Sequence, residues 1–294
     1  MARRIETTTS RTAEMVCLCR AASSLETDPL YRSGDWVAQK LLPRKIQLFF
    51  KLRAVRKFLV RAFAPEGIYE WVIARTKYID NLFVRACSEG FSQILLFGAG
   101  FDSRGIRFQP ELKEMRVFEL DARTTQGAKV EQYQKRGIAV PANLVFVPIN
   151  FEKESVEDKL NGAGFGRGMK TLVILEGVTQ YLKPETVHAT LQTISGIVGR
   201  GSWLVFDYAH ASVLRGEGES YGQDRMVKGV SRAGESWQFG LEEEEVKPLL
   251  GRYGFRLTDQ KGPSKLEQAY FKNDRGRIVG RINDTQSIVT AERT

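Results

Sequence analysis

The chain has 294 residues, 42% of them hydrophobic and 27% charged, with a formal charge of +9. Length and composition suit one large globular domain, or a domain with an added cap, around a sizeable core. No apolar run approaches the roughly 18 residues that cross a bilayer, the start Met1–Ser10 has no apolar signal core, and three cysteines with two histidines supply neither a disulfide framework nor a zinc site. These features predict a cytoplasmic, metal-free protein.

Residues 1–90 read as a helical N-terminal cap, set apart in pattern from residues 91–294. Ala13 to Ala22 suits one helix, and a second is expected from Arg44 to Phe63, closed by Pro65 and Gly67. Within it Leu48, Leu52, Val55, Leu59 and Phe63 fall on one face, with Arg53, Lys57 and Arg61 opposite. Three readings fit that pattern: a core-facing amphipathic helix, a cap over a hydrophobic substrate pocket, or a helix lying on a membrane surface. Phe50, projecting among the basic residues, favours some surface contact. Peripheral contact through residues 44–63 is therefore the only membrane association expected. The basic concentration from Lys40 to Arg61 comes without a helix-turn-helix or RNA-binding signature, so no nucleic-acid partner is expected. A third helix, Glu70 to Ala86, leads into the first strand.

From there strands and helices alternate. Gln93–Phe97, Arg116–Leu120, Leu144–Ile149, Thr171–Leu175 and Trp203–Asp207 read as strands, with helices such as Asp121–Arg136 and Lys183–Ile197 between them. This alternation predicts an α/β, Rossmann-like domain with a mostly parallel sheet covered by helices on both faces. Ligands of such sheets sit beyond the carboxyl ends of the strands, which brings Gly98, Asp121, Asn150, Glu176 and Tyr208 to one rim. Residues 211–240, polar and rich in Gly and Ser, read as a mobile lid loop. A helix opening at Leu241–Glu245, a strand Phe255–Gln260, a short helix Ser264–Lys272 and a last strand Ser287–Ala291 complete the chain.

The first strand runs into Gly98-Ala99-Gly100, and the second ends in Asp121. A Gly-x-Gly turn lets a ligand approach the backbone where a Cβ would block it. An acid about 20 residues on, at the tip of the next strand, can accept from both hydroxyls of a ribose; it can equally cap the helix that follows. A dinucleotide site wants Gly-x-Gly-x-x-Gly, but Ser103 stands at the third glycine position and Asp102 would face a phosphate, which excludes a nicotinamide oxidoreductase. No Gly-Lys-Ser/Thr follows, so a P-loop is excluded as well. A nucleoside without phosphates remains, and S-adenosylmethionine fits.

Gly98–Arg104 (Gly-Ala-Gly-Phe-Asp-Ser-Arg), Phe118–Asp121, Pro148–Phe151, Leu175–Leu182 and, before the first strand, Ala74–Asp80 occur in an order that resembles the leucine carboxyl methyltransferase family. The resemblance runs from about Thr9 to the end and includes the bacterial and archaeal members that look like O-methyltransferases of secondary metabolism. It implies a class I methyltransferase fold, a seven-stranded sheet with a helical cap, and S-adenosylmethionine as donor. By that resemblance Gly98, Ala99 and Gly100 pass under the cofactor, Asp121 holds the ribose, and Asn150 and Phe151 frame the adenine. Glu176 lies near the methionine ammonium and sulfonium, and Arg75 pairs with the methionine carboxylate, with Arg20 at the place of a basic residue of the first helix. Arg75 could instead form an ion pair with Asp80 or Glu70, and Glu176 one with a neighbouring basic residue. The family commonly has Asp where this chain has Asn150, so any adenine contact there lacks the charge.

Methyl transfer from a sulfonium is an in-line displacement, and the protein chiefly aligns donor and acceptor and excludes water. A carboxylate acceptor is already ionised, whereas a hydroxyl needs a base within reach. His210 is the one histidine near the rim, and Tyr181 aligns with a pocket-lining tyrosine of the family. The expected function is therefore O-methyl transfer to a carboxylate or acidic hydroxyl of a small molecule. The alternatives are methylation of a protein C-terminal carboxyl and a non-catalytic binding module that keeps the cofactor fold.

Overall fold

Short strands separated by helices build the sheet of the computed structural model, which describes residues 10–151, 153–217, 220–233 and 236–294, with side chains left out at 230–233. The expected cap residues 1–9 and parts of the expected lid lie outside the described residues. The strands are β1 Gln93–Phe97, β2 Arg116–Asp121, β3 Leu144–Pro148, β4 Thr171–Leu175, β5 Trp203–His210, β6 Gly240–Leu241, β7 Phe255–Lys261 and β8 Gln286–Arg293. Their order is β3-β2-β1-β4-β5-β8-β7, with the two-residue β6 beside the end of β5. Pairs among β1 to β5 are parallel, and β8 runs antiparallel between β5 and β7. The strand order reverses between β1 and β4, which opens a crevice at their carboxyl ends.

Every residue of β1 and β4 is buried, as a sheet covered on both faces requires. Alternation along each strand divides the core: Leu95, Phe97, Val173 and Leu175 pack to one side, and Ile94, Leu96, Leu172 and Ile174 to the other. The second side is continuous with the cap. There helices α1 Arg11–Ser24, α2 Trp36–Leu41, α3 Arg44–Phe50, α4 Arg53–Phe63 and α5 Ile68–Ser88 follow one another. Ser10 starts α1 by accepting from the Ala13 amide at 3.2 Å. Trp71, Val72, Ile79, Leu82 and Phe83 of α5 are buried against the sheet core, so apolar area anchors the cap.

Several expectations give way here. The single helix from Arg44 to Phe63 is broken at Lys51 and Leu52, where Leu52 turns extended (φ −78°, ψ 114°). Arg56 accommodates the break: its buried guanidinium donates to Phe50 O at 3.2 Å, a carbonyl that a continuous helix would have used, and to Leu25 O beyond the end of α1 at 3.3 Å. The expected apolar face meets the core only in part: Leu59 packs against it, while Leu48, Leu52 and Phe63 are 74%, 58% and 64% exposed. Phe50, expected at the surface, is instead buried in the core. Residues 211–240, expected as a loop, contain helices Ala211–Arg215 and Gln223–Ala233.

Candidate functional site

The carboxyl ends of β1, β2 and β4 meet α1 and α5 around a cavity of about 450 Å³. At its floor β1 ends in a turn in which Gly98 (φ +59°) and Gly100 (φ +52°) take left-handed conformations. A Cβ on Gly98 would lie 2.7 Å from Val178 Cγ2. The turn is tied to β2 by the Ala99 amide donating to Leu120 O at 3.1 Å.

Asp121, the last residue of β2, lines the cavity. One of its oxygens accepts from the Gly100 amide and the other from the Ala122 amide at 2.6 Å. A carboxylate has about four acceptor sites, so the pair of oxygens is oriented by backbone and still has lone pairs to offer. Burial raises the Asp121 carboxyl, and these two amide bonds oppose that rise. The following helix has Ala122 at its N-cap without a side-chain cap, so capping does not account for Asp121. Beyond β3, Phe151 lines the cavity with its ring stacked 6.2 Å from that of Phe97. Asn150 stands beside it outside the lining, its backbone N–H donating to Glu154 at 2.8 Å.

Glu176, after the last residue of β4, lies between two guanidinium groups: Arg75 Nε at 3.2 Å and Arg104 Nη1 at 2.8 Å. Burial alone would raise its carboxyl, but Arg104, Arg75 and Arg20 reverse the shift and hold it below the ordinary range. Arg75 pairs with neither Asp80 nor Glu70; its Nη1 meets Asp207 of β5 at 2.5 Å. Asp207 in turn accepts from the Gly177 amide at 2.6 Å. Arg104 bonds Asp102 and lies 2.7 Å from Asp80, which Arg107 also holds. Arg20 donates to Phe101 O at 2.7 Å and faces Asp35 at 3.4 Å. Four guanidinium groups (Arg20, Arg75, Arg104, Arg107) thus interlock with five carboxylates (Asp35, Asp80, Asp102, Glu176, Asp207), a formal excess of one negative charge. Arg20, Arg75, Asp102 and Glu176 present that network to the cavity.

The opposite wall is apolar, formed by Met15, Val16, Ile68, Trp71, Val72 and Met226 among others. Two buried polar atoms on this side, Trp71 Nε1 and Gln180 Oε1, have no hydrogen-bond partner among the described residues. Tyr181 lines the cavity; His210 does not. The His210 ring bonds Ser287 Oγ at 2.8 Å, and burial lowers its pKa. No histidine or lysine is among the described lining residues, and no cluster of His, Cys, Asp and Glu among the described residues could hold a metal.

Sequence reasoning passed over Arg104, Asp207, Trp71 and Gln180. Arg104 closes the very Gly98–Arg104 run that drew attention, and Asp207 is an acid inside an apolar strand, so both carried a visible signal. Trp71 carried none, since a tryptophan on a helix reads as core.

The sequence model described as leucine carboxyl methyltransferase matches residues 13–195, which contain the β1 turn, Asp121 and Glu176. The chain belongs to the leucine carboxyl methyltransferase family. A relative from Bacillus subtilis (strain 168), provisionally named an S-adenosyl-L-methionine-dependent methyltransferase, is 29% identical over 224 residues, 73% of each chain. Another so named, from Mycolicibacterium smegmatis, is 28% identical over 266 residues, 82% of this chain and 86% of its own. Among solved structures, a provisionally named methyltransferase from Thermobifida fusca superposes with a TM-score of 0.57 at 14% identity, covering 95% of this chain and 94% of its own. A DUF574 family protein from Streptomyces avermitilis gives 0.55 at 12% identity, covering 81% and 90%. These likenesses establish the fold of the family member: a class I methyltransferase sheet, mostly parallel, flanked by helices.

Proposed function

We propose that this methyltransferase moves a methyl group to a carboxylate of an apolar small molecule. The donor is S-adenosylmethionine, whose sulfonium, when bound, supplies an activated methyl carbon and a neutral thioether leaving group. The chain's own groups fit that donor. Gly98, Ala99 and Gly100 give a backbone surface without side-chain obstruction, and the Asp121 carboxylate, fixed by two amides, is set to accept from ribose hydroxyls. Asn150 and Phe151 are assigned to the adenine. Glu176, ionised between two arginines, suits the methionine ammonium. Arg75, held by Glu176 and Asp207, is assigned to the methionine carboxylate. The network's formal excess of one negative charge complements a donor whose net charge is positive.

The observation that carries the acceptor class is the lack of a free base among the described lining residues. The acids facing the cavity are held in ion pairs or amide bonds, and His210 lies outside the lining. A hydroxyl acceptor would need a proton acceptor that a carboxylate does not. Trp71 Nε1 can donate to a carboxylate oxygen, and the apolar wall suits a hydrocarbon or aromatic body and excludes water. Unpaired Cys17, Cys19 and Cys87 accord with a reducing, cytoplasmic compartment.

The test uses donor labelled in the methyl group and a panel of apolar carboxylic acids and phenols. Label that mild base releases as volatile methanol marks an ester; base-stable label in a phenol ether would refute the carboxylate assignment while keeping the methyltransferase.

A further inference from the structure

The stretch Arg44–Phe63 carries seven basic residues (Arg44, Lys45, Lys51, Arg53, Arg56, Lys57, Arg61) and no acid. Its second helix, α4, is mounted with its apolar side outward. Residues on a helix advance by about 100° each, and the two buried positions of α4, Arg56 and Val60, mark the side that meets the protein. Ala54, Phe58 and Ala62 lie on the opposite side, with Phe58 69% exposed. Half-buried Val55 and Leu59 extend one edge of this apolar arc, while Arg53, Lys57 and Arg61 form a cationic stripe along the other. Leu48, Phe49 and Leu52 add exposed apolar surface just before it, at 74%, 59% and 58%. The orientation is fixed, because Arg56 is anchored beneath the helix on Phe50 O and Leu25 O and faces Glu26 at 3.7 Å.

We propose that this face docks the protein on membranes rich in anionic lipid. An outward apolar arc beside a cationic stripe matches the boundary between acyl chains and phosphate headgroups. Arg53, Lys57 and Arg61 border a cavity that Glu26, Asp28, Glu66 and Glu70 also line, yet they stay exposed along the helix. A second copy seated on the apolar arc would bring its own cationic stripe beside this one, a pairing that like charges oppose. No helix among the described residues is long and apolar enough to cross a membrane, so the contact is peripheral. The neighbouring helix Gln223–Ala233, whose Arg225 touches Arg61 O at 3.4 Å, adds exposed Lys228 and Val227 to the face and carries Met226 into the cavity. This inference stands independently of the methyl-acceptor assignment.

Co-sedimentation of the full chain with vesicles tests it, comparing phosphatidylglycerol mixed into phosphatidylcholine with pure phosphatidylcholine, at low and high salt. Two double variants at exposed positions, Leu52→Ser with Phe58→Ser and Lys57→Glu with Arg61→Glu, are first checked for unchanged thermal unfolding. Binding is expected to the anionic vesicles only, to fall with salt, and to weaken by about tenfold or more in either variant. Absence of binding to anionic vesicles, equal binding to both vesicle types, or binding unaffected by the Leu52/Phe58 variant would overturn it. So would a dimer in sedimentation velocity that the Leu52/Phe58 variant dissociates, which would assign the face to a second copy.

Discussion

Arg104→Met removes the cation on which the rim network closes. The Arg104 guanidinium is fully buried and touches Asp80, Asp102 and Glu176. Methionine fills a similar volume but leaves Glu176 with Arg75 as its remaining close ion pair, and deprives Asp102 of its ion-pair partner. Breaking a buried ion pair from one side costs about 3–5 kcal/mol, because the stranded charges stay desolvated. At roughly 2–4 °C per kcal/mol for a chain of this size, the melting temperature should fall by about 6–20 °C. Urea unfolding of Arg104→Met, Asp102→Asn and the double variant separates the pair from the rest. Asp102→Asn removes the charge that Arg104→Met strands, so the double variant should be more stable than the sum of the single losses by about 1–3 kcal/mol. Additive losses, or an Arg104→Met protein within about 1 kcal/mol of the parent, would refute the claim that this guanidinium holds the rim together.

Gly98→Ala forces a left-handed alanine and brings its methyl against Val178; equilibrium unfolding should show a loss of about 2–4 kcal/mol, and titration a loss of S-adenosylhomocysteine affinity. The Asp102 carboxyl is pushed up by burial, but Arg104, Arg20 and Lys129 outweigh that and bring it from 3.8 to about 2. A depressed folded-state pKa contributes stability above the unfolded value that is lost as pH falls through the folded one. Between about pH 4 and pH 2 the parent should therefore lose about 2 kcal/mol that Asp102→Asn does not lose, as read by urea midpoints across that range. Trp71→Phe deletes a buried donor with little change of shape; the KM of a carboxylate acceptor should rise about 5- to 10-fold, with donor affinity unchanged in calorimetry.

The rim was legible because one rule, ligands beyond the carboxyl ends of parallel strands, depends only on locating apolar runs. That rule brought Gly98, Asp121, Asn150, Glu176 and Tyr208 to one rim; the structure sets Gly98, Asp121 and Glu176 on one cavity and leaves Asn150 and Tyr208 outside its lining. What Arg75 touches was not legible: its partner Asp207 is 132 positions away, and helical spacing offered only the nearer Asp80 and Glu70. The break in the helix escaped for a related reason, and its outward apolar face stood only as one of three readings. Periodicity reports that a helix has two faces, not which of them meets the protein, and here a single buried arginine settles the orientation. The antiparallel β8 was read as a strand, yet its insertion between β5 and β7 is a matter of topology that its residues do not announce.

Calorimetric titration of the purified chain with S-adenosylmethionine, S-adenosylhomocysteine and NAD, repeated on Asp121→Ala, bears most directly on the donor site. Micromolar binding of both sulfur nucleosides, abolished in the variant and absent for NAD, is the predicted result. Binding of neither nucleoside by a folded protein, or equal binding by parent and Asp121→Ala, would contradict the assignment of this cavity to the methyl donor.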